Sequence, residues 1–456
     1  MEIDTNKSLT YLFSEKIVNS KPKYSEEAMT MATYGLIDYI AVCFTGCKDA
    51  GVKKIISIFE EEGGKEIVPI IGNKLRVSRS QGALINGFIG HILDFDDVHS
   101  EVRGHPSTVI LPTLISISAN SNITGKRFLE AYIVGVEVMA RLGQAIGVEH
   151  FVRGWHNTST LGVIAATVAG GYLKGFSVEQ MAKAIGFATT QSSGLRVQFG
   201  TETKPLHTGL AAQGAIRAID FVEANIGGTL SAFDGKLGFF NVYGEGSCFA
   251  KKFLLENWVD SWKISNPGLW FKIYPFCSAA HHGAEAANIL IAKDNIKVNE
   301  IKDVIVKFPP NGDAALIQLN PKTGEEGRFS IEYVVALSLC GYELSFANFR
   351  GMPIRDDVKA LMSKIKREHD SSIVPAENSI PYGRFTIVEI NTLDNKHYEA
   401  RVDCPKGSPA NPLTLEELKI KLKQAVENEE LYEKLLNEII HIKKSENLNR
   451  LLDLLQ

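Results

Sequence analysis

The chain contains 456 residues, carries a net charge of −4, and has charged side chains at 22% of its positions. A chain of this length predicts two or three folding units, enough for a large core and an enclosed site. Neither the density nor the sign of the charge favours nucleic acid or an anionic membrane as the main partner, so local groups must hold any bound anion.

The cysteines and the apolar segments indicate a soluble protein of a reducing compartment. The six cysteines match neither the spacing of a zinc site nor that of an iron–sulfur cluster. Residues 1–17 lack the basic and apolar regions of a secretory signal. The longest apolar runs, 36–44 and 109–116, are too short to span a membrane. We therefore expect a cytoplasmic protein with no membrane partner and no bound metal.

The first 265 residues or so have helical spacing and few strand patterns. Ser25 is placed to cap a helix that runs to about Phe44, and residues 81–92 form a second predicted helix. Apolar residues at 3.6-residue spacing predict a helix over 126–146, and Ser177 begins a capping box. Residues 158–175 are so poor in side-chain bulk that they predict a closely packed central helix.

Residues 91–106, with the sequence HILDFDDVHSEVRGHP, interrupt these helices with three histidines, four carboxylates and an arginine. Such groups are seldom buried together unless they bind a ligand or transfer protons. A solvated surface loop is the alternative interpretation.

Basic groups precede two segments rich in small residues. His156 comes just before the segment 158–175, for which Thr158 is the predicted cap, and Lys204 and His207 precede the Ala/Gly-rich segment 209–215. The N-terminus of a helix favours a bound carboxylate. The two segments therefore predict the walls of an anion pocket.

The sequence pattern changes near residue 266. Segments 303–308, 384–393 and 397–404 have strand character, and the last two predict a hairpin. Helices are predicted between the strands, over 329–340 and 355–367, which makes this part an α+β unit.

A helical segment follows, because Thr414 begins a second capping box before a charged amphipathic tail. We predict a mainly α protein in three parts. These are a large all-helical domain (1–266), a smaller α+β lid domain (267–405), and a C-terminal helical segment (406–456) that packs back on the large domain, so that the lid is an insertion.

Taken together, the polar motifs resemble those of the MmgE/PrpD family of lyases and isomerases. The matching segments occur in the family's order and are HILDFDD (91–97), HPS (105–107), GWH (154–156), KPLH (204–207), KxYPxC (272–277) and FSxxY (329–333). The resemblance extends over nearly the whole chain. Family members include 2-methylcitrate dehydratases, cis-aconitate decarboxylases and iminodisuccinate epimerases, which act on small polycarboxylates without an iron–sulfur cluster or an organic cofactor.

The resemblance implies a helical domain with a smaller α+β lid, a homodimer, an active site between the domains, and no cofactor. Matched position by position, the family's site residues are Asp94, His105, His156, Lys204, Lys272 and Tyr333. We assign Asp94, His105, His156 and Tyr333 to catalysis. The candidate substrate-binding residues are Lys204, Lys272, His207 and Cys277.

Two positions depart from the family pattern. Val98 stands where a threonine is common, which removes one hydroxyl hydrogen bond to substrate. Cys277 stands where the cis-aconitate decarboxylases have histidine, which argues against transferring decarboxylase activity. The form Y-P-x-C is closer to the MmgE branch, for which dehydration of a citrate-like acid is the usual assignment.

The residue types suggest a chemical role for each group. Two lysines and a protonated histidine would hold two or three substrate carboxylates. His156 or His105 would remove a proton next to a carboxylate, and Tyr333 or the other histidine would protonate the departing hydroxide. Asp94 would orient one histidine.

The other carboxylates of the segment 91–106 have simpler roles in this hypothesis. Asp96, Asp97 and Glu101 are predicted to cap helices or to pair with Arg103 and other basic groups.

The preferred function is therefore dehydration of a 2-methylcitrate-like or citrate-like acid by a cofactor-independent lyase. Decarboxylation of the cis-aconitate type and epimerisation of the iminodisuccinate type stay open, because all three reactions need a polyanion pocket and proton transfer. The spacing of Asp96, Asp97 and Glu101 loosely resembles the magnesium-binding aspartates of helical isoprenoid enzymes, but no second aspartate-rich motif follows. A helical binding protein without chemistry is the non-enzymatic alternative.

Overall fold

The structure is a computed structural model, and it describes residues 8–258, 261–294, 296–377, 379 and 383–456. The chain is mainly α, as predicted. Its α-helices are α1 (Leu9–Val18), α2 (Glu26–Gly46), α3 (Ala50–Glu62), α4 (Arg79–His91), α5 (Ser107–Ser118), α6 (Gly125–Ala145), α7 (Val148–Val152), α8 (Asn157–Thr160), α9 (Gly162–Lys174), α10 (Val178–Thr189), α11 (Thr203–Glu223), α12 (Phe239–Tyr243), α13 (Ser247–Leu255), α14 (His281–Asp294), α15 (Gly324–Gly327), α16 (Ile331–Leu339), α17 (Asp356–Met362), α18 (Leu415–Ala425), α19 (Glu429–Ile440) and α20 (Asn449–Asp453). The strands are β1 (Val68–Pro69), β2 (Arg76–Val77), β3 (Ile301–Phe308), β4 (Ile365–His369), β5 (Thr386–Thr392) and β6 (His397–Val402).

Helix starts follow the capping residues of the sequence. The Ser25 side chain accepts from the backbone N–H of Ala28 at the start of α2. Ser177 and Thr414 form complete capping boxes at the starts of α10 and α18. These side chains satisfy backbone donors that the first helical turn leaves without partners. The three predicted caps are confirmed.

Three local predictions are wrong. Thr158 does not cap a helix: it lies inside α8, and its hydroxyl accepts from the backbone N–H of His105. Lys204 and His207 lie within α11 rather than before it. The helix predicted over 355–367 ends at Met362, and residues 365–369 form β4 instead.

The helical part is centred on α4, α5, α9 and α11, whose small residues allow close approach. A Cβ atom added at Gly209 of α11 would lie 2.4 Å from the carbonyl oxygen of Leu84 in α4. Side chains cannot be accommodated at such a distance, so the two backbones are in direct contact. This contact fixes the end of α4, at His91, relative to the start of α11, at Lys204.

The α+β part has its own sheet and core. Strand order is β4-β3-β5-β6, in which β3 and β4 are parallel and the other pairs are antiparallel. The hairpin of β5 and β6 is confirmed. A separate hydrophobic cluster includes Val304, Val388 and Val334, so sheet and helices share one core. The buried residues of the helical core end at residue 271 and begin again at residue 413, and those of this second core lie mainly between residues 276 and 402.

The C-terminal helices pack into the hydrophobic core of the helical part through Leu418 and Leu422 of α18 and Leu435 of α19. Lys421 of α18 donates to the Asp38 carboxylate of α2 at 2.7 Å and to the carbonyl of Lys272 at 2.9 Å. Among the described residues, α2 is the one helix long and apolar enough to cross a membrane, but 72% of its most apolar window is buried. Its ion pair with α18 is typical of a core helix.

We predict that Lys421→Met lowers the free energy of unfolding by about 3–5 kcal/mol, because it leaves the buried Asp38 carboxylate without its cation. Denaturant unfolding measures the loss. The double variant Asp38→Leu/Lys421→Met removes both charges and should regain most of the lost stability. The control is Lys423→Met, an exposed lysine of the same helix, which should change stability by less than about 0.5 kcal/mol. Equal stability of the two single variants would contradict the prediction.

Candidate active site

A cavity of about 860 Å³ lies between the helical part and the α+β part. Five of the predicted site residues line it: Asp94, His105, His156, Lys204 and Cys277. Lys272 and His207 lie directly behind this wall, in contact with Asp94 and His156 respectively. Seven of the eight predicted residues therefore come together.

Asp94 is held between two lysines. Its Oδ1 accepts from Nζ of Lys204 at 2.5 Å, and its Oδ2 lies 3.4 Å from Nζ of Lys272. Nζ of Lys272 also donates to the Asp94 carbonyl at 2.6 Å. Burial alone would raise the pKa of Asp94, but the two ammonium groups lower it, so the carboxylate is ionised. Asp94 has φ of 51°, a left-handed conformation that these contacts stabilise.

Asp96 connects two histidines. Its carboxylate lies 2.9 Å from Nδ1 of His91 and 3.2 Å from Nδ1 of His105. Lys204 lies 2.8 Å from the other ring nitrogen of His91, and burial followed by that positive charge lowers the pKa of His91 to about 3. His91 is therefore neutral, with Nε2 accepting from Lys204 and Nδ1–H donating to Asp96.

His105 lines the cavity, and its two ring nitrogens have different surroundings. Its Nδ1 lies 2.9 Å from the Asp97 carbonyl and faces the Asp96 carboxylate, so Nδ1 carries a proton. Nε2 lies 3.7 Å from Asp94 Oδ1. An imidazole held by a carboxylate at one nitrogen can accept or donate a proton at the other.

His156 forms a second pair with His207. The two Nδ1 atoms lie 3.1 Å apart, so one ring donates to the other. Burial, with the nearby charge of Lys204 as the next cause, lowers the pKa of His156 well below its usual value, and burial lowers that of His207 to about 4. Both rings are neutral at pH 7, and His156 is the one that lines the cavity.

Tyr333 is not brought to this wall. Its hydroxyl donates to the carbonyl of Asn348, its ring packs against Phe349, and burial raises the pKa of its phenol to about 12. The residue is absent from the cavity lining among the described residues.

The carboxylates predicted to be structural differ in their contacts. Asp97 accepts from the backbone N–H of Ser107, the first residue of α5, as expected for a capping group. Glu101 pairs with Lys263 at 2.8 Å rather than with Arg103. Asp96 does not cap a helix, because both of its partners are histidines of the site.

Sequence reasoning assigned no role in the site to four residues that contribute to it. His91 is within the motif HILDFDD, but its contact with Lys204 of α11 depends on helix packing. Phe199 and Phe329 place their rings 5.2 Å and 5.0 Å from the Lys204 ammonium group. Arg384 reaches the cavity from the residues before β5. The motifs HILDFDD and FSxxY could have indicated His91 and Phe329. No local pattern singles out Phe199 or Arg384.

Two groups of described residues have the composition of a metal site, and the buried one consists of His91, Asp94, Asp96 and His105. Its ligand atoms lie within 4.8 Å of one another. The Lys204 ammonium already contacts His91 and Asp94, so a cation of the protein itself occupies that position. The absence of a metal from the reaction stays a prediction.

This arrangement defines an acid–base site in which buried cations surround ionised carboxylates and two histidines reach one cavity. Comparison with known proteins gives the class. The chain belongs to the MmgE/PrpD family: the MmgE/PrpD N-terminal domain matches residues 13–251, and the MmgE/PrpD C-terminal domain matches residues 274–440. The predicted family is confirmed.

Curated relatives of similar length carry the name cis-aconitate decarboxylase. The human protein (Homo sapiens) is 25% identical over 360 residues, which cover 76% of this chain and 73% of the relative. The mouse protein (Mus musculus) is 24% identical and covers 91% and 86%. The Aspergillus terreus protein is 25% identical and covers 84% and 81%. These relatives support a lyase with a dehydratase-like or decarboxylase-like role.

The buried Asp97 carboxyl group should make the free energy of unfolding depend on pH. Burial raises its pKa to about 8 from a usual value of 3.8, so the folded chain keeps a proton that the unfolded chain loses. Its stabilising contribution is complete below pH 4 and is lost as the pH rises to 8. We expect Asp97→Asn, which mimics the protonated form, to lose less stability than the unmodified protein across this range, by on the order of 1 kcal/mol per pH unit.

Denaturant unfolding at pH 5, 6, 7 and 8 measures the difference. The exposed carboxylate variant Asp356→Asn serves as the control and should parallel the unmodified protein. Parallel curves for Asp97→Asn would show that Asp97 is ionised in the folded state.

Proposed function

We propose that this protein is a cofactor-independent lyase that dehydrates a small hydroxylated di- or tricarboxylic acid of the 2-methylcitrate or citrate type. The observation that carries the proposal is the presence of His105 and His156 on one cavity, each with a polar partner behind it. Elimination of water needs one group to remove a proton and another to stabilise the developing charge, and the two histidines supply both.

His105 is the proposed base. Its Nδ1–H is directed at Asp96 and the Asp97 carbonyl, which leaves Nε2 with a lone pair toward the cavity. When Nε2 takes the proton from the carbon next to a carboxylate, Asp96 stabilises the imidazolium that forms. The same proton is then available for the departing hydroxide, so that water leaves and His105 returns to its starting state.

His156 is the proposed hydrogen-bond donor to the intermediate. If the Nδ1–H of His207 donates to Nδ1 of His156, the proton of His156 is on Nε2, where it can donate to the enolate-like oxygen. A neutral imidazole stays a donor throughout the reaction, because its lowered pKa opposes protonation. His156 takes the place of Tyr333 as the proposed donor, because the Tyr333 hydroxyl already donates to the Asn348 carbonyl.

Decarboxylation of a cis-aconitate-like acid is the second candidate, and the names of the relatives favour it. Loss of CO2 leaves a carbanion that a protonated His105 could quench. Decarboxylation needs only one proton donor, whereas dehydration uses both histidines, one as the base and the other to stabilise the developing charge. We therefore keep dehydration as the primary proposal. A homodimer, which the family resemblance implies, and a cytoplasmic location, which the cysteine pattern favours, remain parts of the proposal.

We predict that His105→Gln and His156→Gln each lower kcat at least about a hundredfold, because each removes an acid–base or charge-stabilising group. Steady-state kinetics with the best acid measures the loss, and thermal unfolding shows that the fold is kept. His441→Gln, at an exposed position of the C-terminal part, is the control. Near-normal turnover by His156→Gln would refute its role.

The reaction type is tested by incubating the purified protein separately with 2-methylcitrate, citrate, cis-aconitate and iminodisuccinate and following products by NMR. Dehydration of a hydroxy acid is the expected result. Loss of CO2 from cis-aconitate would replace the primary proposal with the second candidate. Inversion of iminodisuccinate would assign an epimerase. No change in any acid would favour a binding protein.

A further inference from the structure

The two lysines that the sequence predicts to bind substrate carboxylates already pair with a carboxylate of the protein. Lys204 and Lys272 both contact Asp94, and Asp96 contributes a second negative charge to the same wall. His91, His156 and His207 are neutral, since burial lowers the pKa of each. The two ammonium groups and the two carboxylates of this wall therefore balance before any proton on His105 is counted. A tricarboxylate ligand needs positive charge from elsewhere.

Arg384 supplies positive charge to the cavity from the α+β part. It lies just before β5 in the α+β part, it is half-buried, and its side chain lines the cavity together with Cys277. Within the described part of the chain, its guanidinium donates no hydrogen bond and lies within 4.0 Å of no carboxylate oxygen. Its five N–H donors are free for a ligand.

The nearby acids do not neutralise Arg384. Asp313 acts on it only at long range, and its carboxylate already contacts Arg367 at 3.2 Å and His369 at 2.7 Å. Glu377 also lines the cavity, but its side chain is exposed and forms no ion pair with a described residue. A partly buried guanidinium without a partner is costly to desolvate, and burial lowers its pKa accordingly. Such a group is typical of an anion-binding position.

We propose that Arg384 is a substrate-binding residue that holds one carboxylate of a polycarboxylate in the cavity that His105 and His156 also line. The planar guanidinium donates two parallel hydrogen bonds to that carboxylate. The proposal rests on the proposed function for the identity of the substrate class. It adds that selection between dicarboxylates and tricarboxylates depends on the α+β part of the protein.

Arg103 is the other arginine on the cavity, and it differs from Arg384 in two ways. Its side chain is exposed, and one of its nitrogens already lies 3.5 Å from the Gly143 carbonyl. An exposed arginine contributes less to carboxylate binding because water competes for its donors. Arg384 is therefore the better candidate for a specific contact.

The test uses two non-hydroxylated acids that differ by one carboxylate. Tricarballylate has three carboxylates, and glutarate has the same carbon chain with the two terminal carboxylates only. Neither can lose water, so calorimetry measures binding without turnover. We expect Arg384→Gln to weaken tricarballylate binding about tenfold or more and to change glutarate binding less than about threefold, because one charge-assisted contact is lost.

Arg384→Lys should fall between the two, since it keeps the charge but loses the planar pair of donors. Arg350→Gln, an exposed arginine of the same part of the chain, is the matched control and should bind both acids normally. Thermal unfolding checks that each variant is folded.

The outcomes separate this inference from the proposed function. Loss of tricarballylate binding by Arg384→Gln supports the role of Arg384 even if no acid is turned over, in which case only the proposed lyase activity fails. Unchanged binding by Arg384→Gln overturns the role of Arg384, and an equal loss for both acids overturns its role in selecting tricarboxylates over dicarboxylates. In either case the result with hydroxy acids decides the activity. Binding of neither acid by the unmodified protein overturns the inference as well.

Discussion

The ion cluster of Asp94 with Lys204 and Lys272 is the interaction on which the rest of the site depends. The three side chains come from the segment after α4, from the first turn of α11, and from the segment that leads to α14. All three are buried, so each charge would be severely destabilising without the others. The cluster forms only when these segments are in their final places, and it therefore ties the cavity wall to the completed fold.

The cluster also sets the protonation of its neighbours. Lys204 donates to His91, which fixes the remaining proton of His91 on the nitrogen that faces Asp96. The same Asp96 carboxylate also faces Nδ1 of His105. A chain of hydrogen bonds thus runs from the buried ammonium group to the histidine on the cavity. Fixed tautomers of this kind preorganise a proton-transfer site, because no reorientation is needed when the proton moves.

The sequence predicted those features that depend on local physics. Ser25, Ser177 and Thr414 each accept from a backbone N–H three residues on, so their capping role could be predicted from spacing alone. Residues 365–367 were assigned to a helix because an edge strand with mostly charged, exposed side chains has no apolar alternation to distinguish it.

The site itself was only partly predictable. The motifs identified segments that meet at one cavity, and seven of the eight candidate residues come together there. What each residue does could not be predicted, because partner choice depends on contacts between distant segments. Asp96 contacts histidines rather than backbone donors, and Tyr333 donates to Asn348. Arg384 belongs to no motif, and its position becomes meaningful only when the α+β part is placed against the helical part.

The two parts of the chain contribute different kinds of groups to the cavity. The histidines, Asp94 and Lys204 all belong to the helical part, whereas Cys277, Phe329 and Arg384 come from the α+β part. A hydrogen bond links the two parts: Arg328 donates to the carbonyl of Ile92, two residues before Asp94, at 2.6 Å. Substitutions in the α+β part can therefore change which acid fits while the proton-transfer groups keep their geometry. One set of acid–base groups can in this way serve several reactions of small polycarboxylates, with the choice of ligand made by residues of the α+β part.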